Sequence, residues 1–142
     1  MKHWTERELK EAGYNISNAQ ITSVNLSMTD HGCCALSMAL DGNGWGCVYG
    51  GYVLGHGYLG ANDDVFDGSS AGMESIIRIM DIVGVDKFNG MNGKIIRAAT
   101  KGWGDAIKII GNVLEDKWFD IESFFADKKG EQYENRNRSS GT

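Results

Sequence analysis

The chain has 142 residues, of which 42% are hydrophobic and 23% are charged, and its formal net charge is -5. This length allows one hydrophobic core, and the composition is that of an ordinary globular protein, which excludes a disordered chain and a chain built of membrane spans. The negative charge disfavours long nucleic acids as partners, because their affinity for proteins comes mainly from Lys and Arg.

Redox and targeting signals are sparse. Residues 1–15 contain no apolar stretch of the kind that marks a secreted protein, so we expect a cytoplasmic location. The three cysteines include two adjacent ones, which is a poor basis for a disulfide framework, and we expect reduced thiols.

The first predicted element is a short helix over residues 6–12. Thr5 and Glu8 have the spacing of a capping box, Trp4 can pack on Leu9, and Gly13 can end the helix.

An antiparallel meander of three strands is predicted next. Apolar residues recur at every second position in two stretches: Val24, Leu26 and Met28, then Leu36, Met38 and Leu40. Asp41-Gly42-Asn43-Gly44 is a strong hairpin-turn signal, and a third strand follows over residues 45–54.

A glycine-rich loop over residues 55–68 precedes an amphipathic helix that Ser70 can cap and Gly84 can end. The apolar positions of this helix recur at helical spacing: Met73, Ile76, Ile77, Met80 and Val83. A second hairpin is predicted from strands 94–100 and 105–113, joined by the turn Lys101-Gly102-Trp103-Gly104.

A last helix begins near Asp120, and residues 127–142 are predicted to form a disordered polar tail because they show no apolar periodicity. The expected fold class is α+β in a single domain over residues 1–126. It comprises an antiparallel β-meander and a second β-hairpin, covered by one main amphipathic helix, with short N- and C-terminal helices.

Aromatic residues are interspersed in the glycine-rich stretch 42–60: Trp45, Tyr49, Tyr52 and Tyr58. Neither phosphate-loop motif is present. Glycines can let a ligand approach the backbone closely while a ring stacks on a base. The alternative interpretation is that the glycines form bulges and bends of a twisted sheet and that the rings belong to the core.

Residues of the types that bind zinc occur without the spacing that zinc sites need. His31, Cys33, Cys34, Cys47 and His56 form no paired clips, and adjacent cysteines point to opposite faces of a strand. A nucleophilic Cys-His pair would require a third, orienting group, and the sequence shows none. We therefore predict no metal, no cofactor and no catalytic residue.

The second hairpin suggests an anion site. If Thr100 pairs with Asp105 across a four-residue turn, Arg97 lies opposite Lys108, Ile95 lies opposite Ile110, and Asn112 is further along the same face. Two opposed cations and an amide can hold phosphate and ribose. The alternative is that both cations point to solvent or neutralise nearby carboxylates.

Five segments together resemble the first family of Thoeris anti-defence proteins: Asp30-His31-Gly32, Gly50-Gly51-Tyr52, the Gly-Val-Asp of residues 84–86, Ile110-Gly111-Asn112 and Asp116-Lys117-Trp118-Phe119. Proteins of this family are phage sponges that sequester the cyclic ADP-ribose signal made by bacterial TIR-domain enzymes. The similarity spans roughly residues 18–125, and the glycine-rich connection 55–68 and the N-terminal helix depart from the family pattern.

The resemblance implies a symmetric homo-oligomer in the host cytoplasm, built from dimers, that binds glycocyclic ADP-ribose between protomers without cleaving it. It also implies that cyclic oligonucleotides can bind at a separate site, as in some relatives. The candidate ligand-binding residues are Arg97, Lys108, Asn112, Trp103, Tyr49, Tyr52 and His31. Two other functions stay open: a phage inhibitor that binds a host defence protein directly, in the manner of anti-CRISPR proteins, and a small enzyme acting on a nucleotide.

Overall fold

A computed structural model describes residues 1–28, 32–57, 65–102 and 104–140. They form a mostly antiparallel sheet of seven strands, curled as a half-barrel, with three helices. The helices are α1 (Glu6–Glu11), α2 (Ser70–Val83) and α3 (Ile121–Ser140), and a 3-10 helix spans Phe88–Met91. The strands are β1 (Asn15–Met28), β2 (Cys33–Gly42), β3 (Trp45–His56), β4 (Asp67–Gly68), β5 (Ile95–Thr100), β6 (Ile109–Gly111) and β7 (Trp118–Asp120). Within these ranges, no helix has both the length and the apolarity needed to span a membrane.

The capping box predicted for α1 is confirmed. The Thr5 hydroxyl accepts a hydrogen bond from the Glu8 amide at 3.2 Å, and the Glu8 carboxylate accepts one from the Thr5 amide at 3.1 Å. The helix ends before Gly13, whose φ is +93°. Local sequence signals therefore determine this helix.

The predicted cap of α2 is wrong by one residue. Ser69, and not Ser70, is the N-cap, because the Ser69 hydroxyl accepts a hydrogen bond from the Gly72 amide at 3.0 Å. Gly84 ends the helix in the left-handed conformation, as predicted.

The predicted meander of β1, β2 and β3 is confirmed, and its ladders contain irregularities on both sides of β2. In β3, Ala35 of β2 pairs with Val53 and Ser37 pairs with Gly50, so β3 carries one extra residue there. Because of this bulge, Tyr49 and Tyr52 pack on the same side of the sheet although they are three positions apart.

Two buried clusters lie on opposite faces of the sheet. Ala98 and Ile110 belong to the first cluster, and their neighbours Ala99 and Ile109 belong to the second. The first cluster includes residues of α2 and α3, while the second includes Leu9 of α1.

The register predicted for the second hairpin is wrong. Arg97 pairs with Gly111 and Ala98 pairs with Ile110, so Arg97 does not face Lys108, and Ile95 does not face Ile110. The strand β6 begins only at Ile109, which leaves residues 101–108 as a longer connection than the predicted four-residue turn. Burial sets this register, because it places two consecutive isoleucines in two different cores.

Two short strands and one helical extension differ from the sequence-based expectations. The strand β4 lies inside the predicted loop 55–68, and β7 precedes the last helix. Over residues 127–140, where the sequence predicts a disordered polar tail, the backbone is helical. This segment has no proline, and its Lys, Glu, Gln and Arg residues favour helix. Lys128 also pairs with Glu74 of α2 at 3.3 Å.

The N-terminal segment is fastened to residues more than a hundred positions away. The Glu6 amide donates to the Asp116 carboxylate at 2.7 Å, and the Trp4 indole donates to Asp120 at 3.1 Å. Leu9 is fully buried in the second cluster. These contacts attach α1 to the β6–β7 end of the sheet.

Replacing Gly50 with alanine should destabilise the fold more than the same change at Gly93. Both glycines have positive φ, but a Cβ at Gly50 would lie 2.6 Å from the Leu36 carbonyl oxygen, whereas one at Gly93 meets no atom within 4 Å. We expect Gly93→Ala to lower the free energy of unfolding by about 1–2 kcal/mol through backbone strain alone, and Gly50→Ala by about 3 kcal/mol or more because the clash adds to it. Urea unfolding measures both, and equal losses would contradict the close approach at the bulge.

Candidate ligand-binding cavity

A cavity of about 560 Å³ lies where the β2–β3 turn approaches the connection between β5 and β6. Its wall includes Asn43, residues 44–47, Asn15 at the start of β1, Thr100, and residues from the connection. The Trp45 ring lies across Gly42, where a Cβ would come within 2.0 Å of the indole. Position 42 must therefore be a glycine if the Trp45 indole is to occupy its observed position.

A second, smaller cavity of about 240 Å³ shares two lining residues with the first, Asp105 and Ala106. Lys101 and Lys108 both line it, together with Tyr14. The Lys101 ammonium lies 4.6 Å from the centre of the Tyr14 ring, a cation–π distance. The larger cavity is thus lined by glycines and one carboxylate, and the smaller one by two cations and the same carboxylate.

Ion pairing and burial set the charges around these cavities. Lys108 forms an ion pair with Glu122, and the hydrogen bond that the ammonium donates to this carboxylate raises the pKa of the lysine. Burial raises the pKa of the Cys47 thiol and that of the Tyr14 phenol. At neutral pH Lys108 is therefore charged, while the thiol and the phenol are neutral.

The lining combines several kinds of binding group. Asn15, Asn43 and Thr100 offer amide and hydroxyl groups, and Asp105 offers a carboxylate that accepts hydrogen bonds. The glycines leave backbone atoms accessible, and Trp45 offers an aromatic face. This arrangement can hold a flat heterocycle and hydroxyl groups, with anionic groups beside the two lysines.

Of the residues predicted to bind ligand, the structure places Lys108 at a cavity, but without Arg97 opposite it. The predicted residues His31 and Trp103, like Tyr58, lie outside the described part of the chain. The residues on either side of Trp103, Gly102 and Gly104, line the larger cavity.

The contacts of Arg97 serve the fold. Its guanidinium donates to the carbonyl oxygens of Asn112 at 2.8 Å and Glu115 at 2.9 Å. It also pairs with Glu6 of α1 at 3.3 Å and lies 4.6 Å from the Trp118 ring centre. With only 14% of its side chain exposed, Arg97 links α1, β5 and the β6–β7 turn.

Asn112 also has structural partners. Its side-chain amide donates to the Ile82 carbonyl at 2.9 Å, and its side-chain oxygen accepts from the amides of Leu114 and Glu115, each at 2.9 Å. These bonds shape the β6–β7 turn and tie it to the end of α2.

The tyrosines Tyr49 and Tyr52 pack inside the fold instead of lining either cavity. Tyr49 is fully buried, and its hydroxyl has no hydrogen-bond partner among the described residues. Burial raises its pKa far above the usual range. Tyr52 stacks on Phe125 with ring centres 4.7 Å apart and planes nearly parallel. The interpretation of these rings as core residues is therefore the one that the packing supports.

Sequence reasoning missed six polar lining residues: Asn15, Asn43, Thr100, Lys101, Asp105 and Tyr14. Asn43, Lys101 and Asp105 lie in or beside turns that the sequence identifies. Their common cavity arises from the curl of the sheet, which no local pattern encodes.

Comparisons of the chain with protein-family models, with curated proteins and with solved structures found no match in any of the three. The chain is therefore assigned to no family here.

The change Arg97→Ala should lower the free energy of unfolding by about 2–3 kcal/mol, because it leaves two backbone carbonyls without their charged donor. The matched control is Arg7→Ala, which removes the same charge from a side chain that is 88% exposed and should change stability by less than about 1 kcal/mol. Chemical denaturation of the two variants gives both values. If the Arg97→Ala variant is as stable as the wild type, these contacts do not stabilise the fold. The guanidinium of the wild-type protein is then available to a ligand.

Proposed function

We propose that the protein is a phage anti-defence sponge that binds a cyclic nucleotide immune signal and sequesters it without cleaving it. The ligand class is glycocyclic ADP-ribose, with cyclic oligonucleotides as a further class, and the site of action is the host cytoplasm. The single observation that carries this proposal is a pair of cavities that share two lining residues, Asp105 and Ala106. Trp45 lines one of them, and two lysines line the other.

The size and chemistry of the larger cavity suit a nucleotide. Its volume of about 560 Å³ lies within the range of roughly 300–1,000 Å³ that is usual for small-molecule sites. We place the base on Trp45, because base stacking on an aromatic ring tolerates any base and contributes about 1–3 kcal/mol. The hydroxyls of a ribose would then meet the side chains of Asn15, Asn43 and Asp105.

The phosphates belong, in this proposal, beside Lys101 and Lys108. Charge-assisted hydrogen bonds from ammonium groups to phosphate are about twice as strong as neutral ones. Asp105, which lines both cavities, disfavours an anion beside its carboxylate. The phosphates are therefore expected beside the two lysines and away from this carboxylate.

Retention without cleavage fits the lining. General acid–base chemistry usually requires a positioned proton donor and a positioned acceptor within reach of the reacting atoms. Among the described lining residues, Asp105 is the one carboxylate, and the Cys47 thiol is held neutral by burial. The lining therefore supports a binding protein over a small nucleotide-processing enzyme.

We also propose that α2 covers one face of the sheet and that the protein is a homo-oligomer. Ile79 and Ile82 lie in the first buried cluster with the strand residues, which supports the covering role. On the outer side of the helix, Met73 and Ile77 are 61% and 56% exposed and lie one turn apart. Exposed apolar pairs of this kind are typical of contact surfaces between chains.

The ligand proposal predicts that Trp45→Ala weakens binding of glycocyclic ADP-ribose by about five- to a hundredfold, through loss of base stacking. Trp45→Phe should retain most of the affinity because it keeps an aromatic face. Lys101→Ala should cost about tenfold or more through loss of a phosphate contact. The control Lys87→Ala removes the same charge at an exposed lysine outside both cavities and should bind as the wild type does.

Isothermal titration calorimetry with cyclic ADP-ribose isomers and cyclic dinucleotides measures these affinities. Protein incubated with the bound ligand is then denatured, and the released compound is examined by chromatography. Intact ligand supports a sponge, whereas a cleaved product would identify an enzyme. Failure of every nucleotide to bind, with a host polypeptide retained on the purified protein, would favour the direct inhibitor of a host protein.

The oligomer proposal predicts a mass at micromolar concentration that is a multiple of the 15.5 kDa chain. Replacing Met73 and Ile77 together with serine should lower that mass, because it removes the exposed apolar pair. Light scattering measures the mass of both proteins. A wild-type protein that is monomeric at 15.5 kDa would refute self-association while leaving the cavity proposal open.

A further inference from the structure

A thiol and an imidazole face each other at the end of β3 that is remote from the cavities. Cys33 begins β2 and His56 ends β3, and the two are direct partners in the ladder. The Cys33 sulfur lies 3.3 Å from Nδ1 of His56, which is hydrogen-bond distance for sulfur. Since Trp45 is the first residue of β3, this pair lies roughly 30 Å from it along the strand.

Asp67 continues this row of paired residues on the next strand. In the ladder between β3 and β4, Asp67 is the direct partner of His56. Cys33, His56 and Asp67 are thus consecutive partners on three adjacent strands, and directly opposed residues project from the same face of a sheet. An imidazole that activates a nucleophile is generally oriented by a third polar group, and Asp67 is placed for that role.

We propose that Cys33 is a nucleophilic thiol, assisted by His56, that exchanges with low-molecular-weight disulfides and so becomes S-thiolated. His56 accepts the thiol proton on Nδ1, and the resulting thiolate attacks one sulfur of the disulfide. A new sulfur–sulfur bond forms to Cys33 as the bond within the disulfide breaks. The departing thiolate takes the proton from His56. The Cys33 sulfur is oxidised, the departing sulfur is reduced, and the disulfide is the only oxidant.

The other two cysteines provide internal controls for this proposal. Cys34 is the next residue of β2, so its side chain points to the opposite face from Cys33 and His56. Cys47 lies in the wall of the larger cavity, where burial raises the pKa of its thiol and leaves less thiolate at neutral pH. One chain therefore carries a cysteine beside an imidazole and two cysteines in different surroundings.

The test is the rate of mixed-disulfide formation at each cysteine of the whole protein with oxidised glutathione at pH 7. Samples are quenched in acid, and the modified peptides are quantified by mass spectrometry. We expect Cys33 to react roughly tenfold faster than Cys34 or Cys47. His56→Ala should lower the Cys33 rate by roughly tenfold and leave the Cys34 rate unchanged. The control His3→Ala removes an exposed histidine of the N-terminal segment and should change none of the rates.

Two further variants separate chemistry from folding. His56→Gln keeps a polar side chain of similar length, so it replaces the alanine variant if that variant does not fold. It should lower the rate of mixed-disulfide formation at Cys33 by the same factor. Asp67→Asn keeps the size of the positioning residue and should slow Cys33 alone. The proposal is overturned if Cys33 reacts with oxidised glutathione no faster than Cys34 does. It is also overturned if both His56 variants fold and their Cys33 reacts at the wild-type rate. This inference does not depend on the proposed nucleotide ligand, which binds at the other end of β3.

Discussion

The curvature of the sheet is the constraint on which the larger cavity depends. The ladders are irregular on both sides of β2, after Ile21 in β1 and around Leu36 opposite β3. Such bulges bend a strand and increase its twist. In a flat sheet, β3 would lie roughly 15 Å from β5, with two strands between them. The curled sheet instead lets Trp45 and the connection after β5 form the walls of one cavity.

Most of the local structure could be predicted from the sequence, whereas the long-range register could not. The capping box at Thr5, the turn at residues 41–44 and the glycine that ends α2 are local signals, and each correctly marks its element. The pairing partner of Arg97 depends on which residues of β5 and β6 are buried in each cluster. The eight residues that connect these strands are too many for a tight turn that would fix the register. A strand of three residues, such as β7, is too short for periodicity to reveal. Of the described residues that line the two cavities, only Lys108 was predicted to bind ligand. The others come from segments that are distant in sequence, and no local pattern brings them together.

The charge distribution reconciles an acidic protein with a proposed anionic ligand. The net charge of -5 is repulsive at long range, which disfavours extended polyanions, while two lysines line the small cavity. A phosphate entering there must compete with Glu122 for Lys108. That competition favours ligands whose phosphates are fixed in place by a rigid, stacked framework, because a flexible anion would lose more entropy on binding.

The attachment of α1 to residues about a hundred positions later also affects synthesis. Among the described residues, the buried neighbours of Leu9 are Ala99, Ile109 and Trp118, and the partners of Trp4 and Glu6 are Asp120 and Asp116. A ribosome adds roughly 5–20 residues each second, so the first helix waits several seconds for the strands that receive it. During that interval the side chains of Leu9 and Trp4 stay exposed on the nascent chain. The second core can close only after Trp118 has been synthesised.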